Sequence, residues 1–180
     1  MRRFASSTLI CLVLAVALAA AGVTVDYDKA VDFSKIKTYA WKKGTPAANP
    51  LNEERVRKAI EAQLAAKGLT KTDGEADVYV FSHVKTDKQQ QVSVDGFGYG
   101  GYPGWGGWGG AWTTTTVNVH NVVEGTLIVD LVSAATNQLA WRGLATKTVF
   151  PDTKAEKIEK IINQSVAKMF QKFPPPPEKK

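Results

Sequence analysis

The sequence predicts a single α+β domain: a mostly antiparallel sheet with two helices packed on one face and a long glycine/aromatic loop between two central strands. Three observations lead to this prediction. Segments of alternating apolar and polar residues, typical of strands, are joined by short turns. Two longer segments have the apolar spacing of amphipathic helices. The elements follow the order strand, strand, helix, strands, helix, and no internal repeat is evident.

Two short strands are predicted at the start of the domain. Val23–Val25, followed by Tyr27, alternates as an opening strand does. A second strand is expected over residues 37–42, with Tyr39 and Trp41 on one face.

The first helix is predicted between an asparagine cap, Asn49 or Asn52, and Gly68, which suits the end of a helix. Its apolar residues recur every four positions, and this narrow stripe is expected to face the core: Val56, Ile60 and Leu64.

Strands and a final helix are predicted for the second half. The expected strand segments are 69–72, 77–94, 112–123, and a hairpin of 126–132 with 139–148. The second helix is predicted to begin with a capping box of Thr153 and Glu156 and to end before Pro174. Its apolar residues form a continuous face: Ile158, Ile161, Ile162, Val166, Met169, Phe170 and Phe173.

The chain is predicted to divide into a signal peptide over residues 1–21, the α+β domain over 22–173 and an exposed proline-rich tail over 174–180. Arg2 and Arg3 give the signal its positive start, and the apolar run Leu9–Ala20 ends in the small residues of a cleavage site. Because that run is shorter than the ~20 residues that span a bilayer, cleavage is favoured over a retained membrane anchor.

Charge and cysteine content restrict the partners of the exported chain. The formal net charge is +6, and removal of Arg2 and Arg3 leaves 6 − 2 = +4, spread along the helices and the tail. No nucleic-acid partner is predicted, because a nucleic-acid-binding arm would be a cluster of basic residues. The one cysteine, Cys11, lies in the signal, so the mature chain is expected to have neither a disulfide nor a cysteine metal site.

The most unusual segment is Gly96–Trp112, in which nine of seventeen residues are glycine and six are aromatic. Glycine opposes regular structure, whereas exposed aromatic area favours contact with a partner. The expected partner is a membrane surface, a cell-wall polymer or another envelope protein; folding back over the domain's own sheet and a loop without any partner are the alternatives. The predicted contact residues are Tyr99, Tyr102, Trp105, Trp108 and Trp112.

Four blocks of sequence carry a family resemblance. They are VTVDYDKAVDFSKIKTYAWKK, NPLNEERVRKAIEAQLAAKGL, EGTLIVDLVSAATNQLAWRGLA and VAKMFQKFPP, and in this order they resemble the bacterial envelope domain-of-unknown-function 4136 family. The resemblance implies an exported, lipoprotein-like protein with no assigned activity and no catalytic residues to transfer. Many members carry a lipid-attachment cysteine at the cleavage site, where this chain has Gly22 or a neighbouring alanine. A periplasmic product is therefore expected, with peripheral association with the outer membrane as the alternative.

Motifs for catalysis or cofactor binding are incomplete. Gly96, Gly98 and Gly101 fit a dinucleotide motif, but Pro103 and further glycines follow where a helix must begin. The acidic cluster of Asp73, Glu75 and Asp77 lacks the glycine and glutamate of a calcium loop and is expected to be a solvated turn. His83 and His120, the two histidines, have no cysteine to complete a metal site.

No serine lies in a G-x-S-x-G motif. We therefore predict a non-enzymatic protein without metal or cofactor. Two alternatives remain open: an envelope hydrolase whose site is assembled only by the fold, and a subunit of an envelope assembly that uses an open sheet edge.

Overall fold

A computed structural model describes residues 22–97 and 114–176, and these form one six-stranded sheet with two α-helices. The strand order is β1-β6-β5-β4-β2-β3. The strands are β1 (Val23–Tyr27), β2 (Thr38–Trp41), β3 (Thr70–Lys71), β4 (Val78–Phe97), β5 (Thr114–Ser133) and β6 (Leu139–Val149). The helices are α1 (Pro50–Ala66) and α2 (Ala155–Phe170), and a single 3-10 turn covers Phe33–Lys35.

The predicted α+β class is confirmed, and the sheet is mixed. β1, β6, β5 and β4 are antiparallel neighbours, whereas β2 runs parallel to both β3 and β4. The parallel pairing follows from the connections, because α1 lies between β2 and β3 and returns the chain to the same end of the sheet.

Beyond β2, the chain continues along the edge of β4. The N–H of Lys42 donates to the Val80 carbonyl at 3.0 Å and that of Thr45 donates to the Ser82 carbonyl at 3.1 Å. A Cβ atom on Gly44 would overlap the Ser82 carbonyl oxygen, so only glycine lets the two backbones approach this closely.

The first helix begins and ends as predicted. The Asn49 side chain accepts a hydrogen bond from the N–H of Leu51 at 2.9 Å, and Pro50 occupies the first helical position. Gly68 follows the helix with a φ of +83°, the left-handed conformation that favours glycine.

The predicted capping box of the second helix is wrong. The helix begins one residue later, with Lys154 at the N-cap and no side-chain hydrogen bond. The N–H of Thr153 instead donates to the Phe150 carbonyl at 3.0 Å, which places Thr153 in the preceding turn. Glu156 lies in the first turn, where its charge suits the positive end of the helix.

The core lies between one face of the sheet and both helices, as predicted. Trp141 and Phe170 are fully buried, with ring centres 5.1 Å apart, and Phe173 packs against both rings. The helices contribute mainly these core residues: Val56, Ile60, Leu64, Val166, Met169 and Phe170. Sheet residues of alternating positions complete it, including Tyr39, Val78, Val80, Val129 and Leu131.

The predictions for β5 and the tail need correction. The segments 112–123 and 126–132 are not separate strands, because β5 runs unbroken through Gly125, which pairs with Thr86 and Lys147. The tail is not wholly exposed, since Pro175 is buried. The signal prediction for residues 1–21 lies outside the described residues.

No helix within the described ranges is long and apolar enough to cross a membrane.

Candidate functional site

The two longest strands extend beyond the rest of the sheet. β4 and β5 pair without interruption from Val78 opposite Ser133 to Phe97 opposite Thr114. Strand β6 pairs with β5 only as far as Val123, and the chain after β2 follows β4 only to the bridge between Thr45 and His83. Residues 90–97 and 114–121 therefore form a two-stranded ribbon, here called the arm, that pairs with no other strand of the described residues.

The arm is roughly 27 Å long, at ~3.4 Å for each of its residue pairs. Its register places Val92 opposite Val119 and Val94 opposite Val117. By register these pairs have the same alternation as Val78 and the other β4 residues that the helices cover, and the polar pair of Gln90 and Asn121 lies between the two groups. Val119 is 56% exposed.

The far end of the arm holds the glycine/aromatic segment. Phe97 and Thr114 are paired there, and residues 98–113 connect them. The five predicted contact residues, Tyr99, Tyr102, Trp105, Trp108 and Trp112, lie outside the described residues. The described part of the chain nevertheless fixes where this segment starts and ends, which is the end of the arm farthest from the helices.

An ion pair of a buried carboxylate and a partly exposed guanidinium lies on the sheet face opposite the helices. Asp130 of β5 is only 5% exposed, and both of its carboxylate oxygens accept hydrogen bonds from Arg142 of β6, each at 2.6 Å. The hydrogen bonds to Asp130 raise the pKa of the Arg142 guanidinium, which therefore stays charged. Because both oxygens are occupied, Asp130 is suited to joining β5 to β6 rather than to accepting a proton from a substrate.

Partly exposed rings lie beside this pair on β4. The rings of Phe81 and His83 are parallel, with centres 6.4 Å apart, and His83 Nε2 is 4.0 Å from Asp130. His83 Nδ1 lies 3.0 Å from the Thr45 hydroxyl. Tyr79 precedes Phe81 by two residues on β4 and so lies on the same face. The Lys42 ammonium lies 4.4 Å from the centre of its ring.

The two histidines do not converge. His83 pairs with Ile128 of β5, and His120 lies 128 − 120 = 8 positions farther along that strand, roughly 27 Å away. Among residues 22–97 and 114–176, no group of three or more His, Cys, Asp or Glu is placed to hold a metal ion.

The acidic cluster before β4 has a structural role that the sequence did not indicate. Asp77 is not merely solvated: one of its carboxylate oxygens accepts hydrogen bonds from the N–H groups of Lys37 and Thr38, each at 2.8 Å, and from the Thr38 hydroxyl at 2.9 Å. These donors lower the pKa of the Asp77 carboxyl. Asp77 therefore fastens the start of β2 to the start of β4.

Sequence reasoning also missed the pair of Asp130 and Arg142. The available signal was a charged residue within the apolar run LIVDLV, since a carboxylate in such a strand needs a partner. Identifying Arg142 as that partner required the β5–β6 register, in which the two residues are directly opposite.

Comparisons with known proteins agree with the α+β architecture. A family model described as Domain of unknown function (DUF4136) matches residues 23–175, which confirms the resemblance inferred from the four sequence blocks. Among curated proteins, none matches the sequence.

Three solved structures align with the chain, one of them with a TM-score above 0.5. A PDZ domain protein from Parabacteroides distasonis aligns with a TM-score of 0.56 and 14% identity, over 86% of this chain but only 35% of that protein. A PelC dodecamer from Paraburkholderia phytofirmans aligns with a TM-score of 0.46 and 12% identity, covering 82% of this chain and 93% of that one. A minor lipoprotein from Acinetobacter baumannii aligns with a TM-score of 0.39 and 10% identity, covering 76% and 91%. At 14% identity, the alignment with the PDZ domain protein shows a shared fold alone.

Proposed function

The chain belongs to the DUF4136 family, a domain of unknown function, and from that premise we propose that it is an exported, non-enzymatic envelope protein that contacts a partner surface through its arm. One observation carries the proposal. β4 and β5 continue as a ribbon past every other strand of the described sheet and bring the ends of the glycine/aromatic segment to its tip.

The physical cost of the arm supports a role in binding. A two-stranded ribbon on its own is marginally stable in water, and no other element of the described residues covers the arm. The described side chains of the arm, Gln90, Val119 and Asn121, are all exposed. A ribbon of this kind adds little to the stability of the domain, whereas it suits the presentation of a segment at a distance from the core.

The composition of the segment at the tip favours a lipid surface as the partner. Tryptophan and tyrosine prefer the boundary between headgroups and acyl chains, where the ring is apolar and its N–H or O–H can be hydrated. The mature chain also carries the excess positive charge, 6 − 2 = +4, that anionic lipid attracts.

The arrangement of charged groups supports a non-enzymatic protein. Both oxygens of the buried Asp130 are taken by Arg142, and His83 is 4.0 Å from that carboxylate, beyond a hydrogen bond. The Thr45 hydroxyl lies 3.0 Å from His83 Nδ1, but the Thr45 N–H also donates to that nitrogen at 3.2 Å, so the backbone already occupies the ring nitrogen that would act as a base toward this hydroxyl.

The proposal is tested by sedimenting the chain from residue 22 onward with vesicles of phosphatidylethanolamine and phosphatidylglycerol. The test variant replaces Tyr99, Tyr102, Trp105 and Trp108 by serine. The control variant is Leu139→Ser, which removes an exposed apolar side chain from β6, away from the arm.

We expect the four-residue variant to bind vesicles at least about tenfold more weakly with unchanged thermal unfolding, and the control to bind as the parent does. Equal binding by the parent and the four-residue variant would refute a contact through the arm. If the parent does not bind vesicles but sediments with peptidoglycan, and the four-residue variant does not, the partner is the cell-wall polymer.

A further inference from the structure

An apolar groove lies at the base of the arm, on the helix side of the sheet. It has a volume of about 460 Å³, within the range of roughly 300–1,000 Å³ typical of ligand pockets. Its floor includes Val84 of β4, Leu127 of β5 and Val149 of β6, and its walls include Leu51 of α1 and Ile158 of α2. Leu51 is 61% exposed, so apolar surface remains open to water there.

The groove exists because several residues of its lining are small. Gly125 lies in the middle of β5, where its missing side chain leaves the space above the strand empty. A Cβ atom built there would meet only the Lys147 carbonyl oxygen, at an ordinary distance of 3.7 Å. Ala145 of β6 and Ala155 of α2 also line the groove. The two helices and the sheet thus border a space that no side chain of residues 22–97 or 114–176 fills.

The charged residues that line the groove are both cationic. Arg55 of α1 is partly neutralised by Glu159, 3.6 Å away, and it also donates a hydrogen bond to Asn52. Lys147 of β6 is exposed and has no hydrogen-bond or ion-pair partner within the described ranges. An apolar groove with a free ammonium at its rim is complementary to a molecule with an apolar chain and one anionic end.

We propose that this groove binds a single fatty acid, with its acyl chain against Val84, Leu127 and Val149 and its carboxylate at Lys147. The groove ends at the base of the arm, where Val123 lines it. The next pair on the same face, Gln90 with Asn121, is polar and exposed, so the apolar lining stops there. The inference rests on the groove alone and does not require the arm to touch a membrane.

The test measures the fluorescence of cis-parinaric acid, a polyene fatty acid that emits in apolar surroundings, titrated with the chain from residue 22 onward. Gly125→Leu fills the groove, and it is expected to fold because Gly125 has ordinary strand dihedrals and open space beyond it. Gly74→Leu is the matched control, since a Cβ atom there meets nothing within 4 Å and Gly74 lies outside the groove. Lys147→Glu tests the carboxylate, with the methyl ester of the probe as the uncharged ligand.

We expect saturable binding of one probe per chain. Affinity should fall at least about tenfold in Gly125→Leu and stay unchanged in Gly74→Leu. Lys147→Glu should weaken binding of the acid by about fivefold or more while leaving the methyl ester unaffected.

Three results would overturn the inference. One is that the parent protein shows no saturable binding. Another is that the Gly125→Leu variant has the same unfolding temperature as the parent and also binds the probe with the same affinity. The third is self-association of the parent that Gly125→Leu abolishes without any probe binding, which would assign the groove to a second copy of the chain.

Discussion

The two halves of β4 and β5 differ in what covers them. Near Val80 and Leu131 the strands have neighbours on both sides and two helices above, and both residues are fully buried. In the arm the same two strands, in the same unbroken register, pair only with each other among the described residues. Strand pairing is thus constant along the ribbon, whereas the two helices cover one face of the first half and, within the described ranges, no part of the arm.

Within one pair of strands, the covered half is expected to supply stability and the arm to supply binding. Burial of apolar area is the main favourable term in folding, at roughly 25 cal/mol for each Å², so the covered half should hold nearly all of the stability. The arm can then change in sequence or length without unfolding the domain. Substitutions in each half test this assignment through the change in the free energy of unfolding that each one causes.

The largest effect is expected at Trp141 of β6, which pairs with Leu131 in the covered half of β5. Trp141→Ala should lower the free energy of unfolding by about 3–5 kcal/mol, because it removes a fully buried ring that packs on Phe170 and Phe173. Urea unfolding measures the change.

Trp141→Phe is the control for that substitution. The Trp141 indole N–H has no hydrogen-bond partner among the described residues, so phenylalanine loses ring volume but also removes a buried unpaired donor. The cost should be clearly smaller than that of alanine. A Trp141→Ala variant within about 1 kcal/mol of the parent would contradict the assignment of stability to this half.

A smaller effect is expected at Arg142, on the uncovered face of the same half. Arg142→Ala should cost about 2 kcal/mol, because it leaves the Asp130 carboxylate buried without its two donors. Chemical denaturation at neutral pH gives the value. Replacing both Asp130 and Arg142 by leucine should restore much of the lost stability. A double variant less stable than Arg142→Ala would mean that the pair contributes more than mutual neutralisation of its two charges.

Asp77→Ala should cost about 1 kcal/mol at neutral pH, since three hydrogen bonds to β2 are lost at an exposed site. The folded pKa of Asp77 is lowered, so its contribution is complete above the unfolded value of about 3.9 and is lost as the pH falls through the folded value. Denaturant unfolding at several pH values should show the parent and the variant converging below about pH 4. A difference that persists unchanged in acid would show that the carboxylate charge is not involved.

The smallest effect on stability is expected from removing the arm. Replacing residues 90–121 by an Asn-Gly turn between Gln89 and Val122 should change the free energy of unfolding by less than about 1 kcal/mol, because only self-paired strands are lost and the connecting loop becomes shorter. Thermal and urea unfolding measure it, with vesicle binding followed in parallel. A loss of several kcal/mol would show that the arm supports the fold, and the division between the halves would fail.

Local signals predicted most of the helices and strands. Asn49 and Gly68 marked the ends of α1 because capping depends on residues close in sequence. The alternation around Val78 and Val80 identified β4 for the same reason. These features need no knowledge of what the segment packs against.

Features that depend on register or tertiary space were not predictable. Gly125 looked like a break between strands, yet β5 passes through it because its neighbours β4 and β6 hold the backbone in place. The groove results from that same missing side chain together with the placement of two helices. Likewise, Thr153 and Glu156 had the spacing of a capping box, but the turn at Phe150 takes the Thr153 N–H and delays the helix by one residue.

Two glycines that look alike in the sequence should behave in opposite ways when every residue is tried at each position. Gly44 has no room even for a methyl group beside the Ser82 carbonyl, so the nineteen alternatives should all be selected against in a screen for folded protein. Gly125 should accept many of them in the same screen and fail only in one for ligand retention. Intolerance of substitution at Gly44 would therefore reflect the close approach of two backbones. Substitutions at Gly125, which the fold tolerates, would instead show whether the groove binds a ligand.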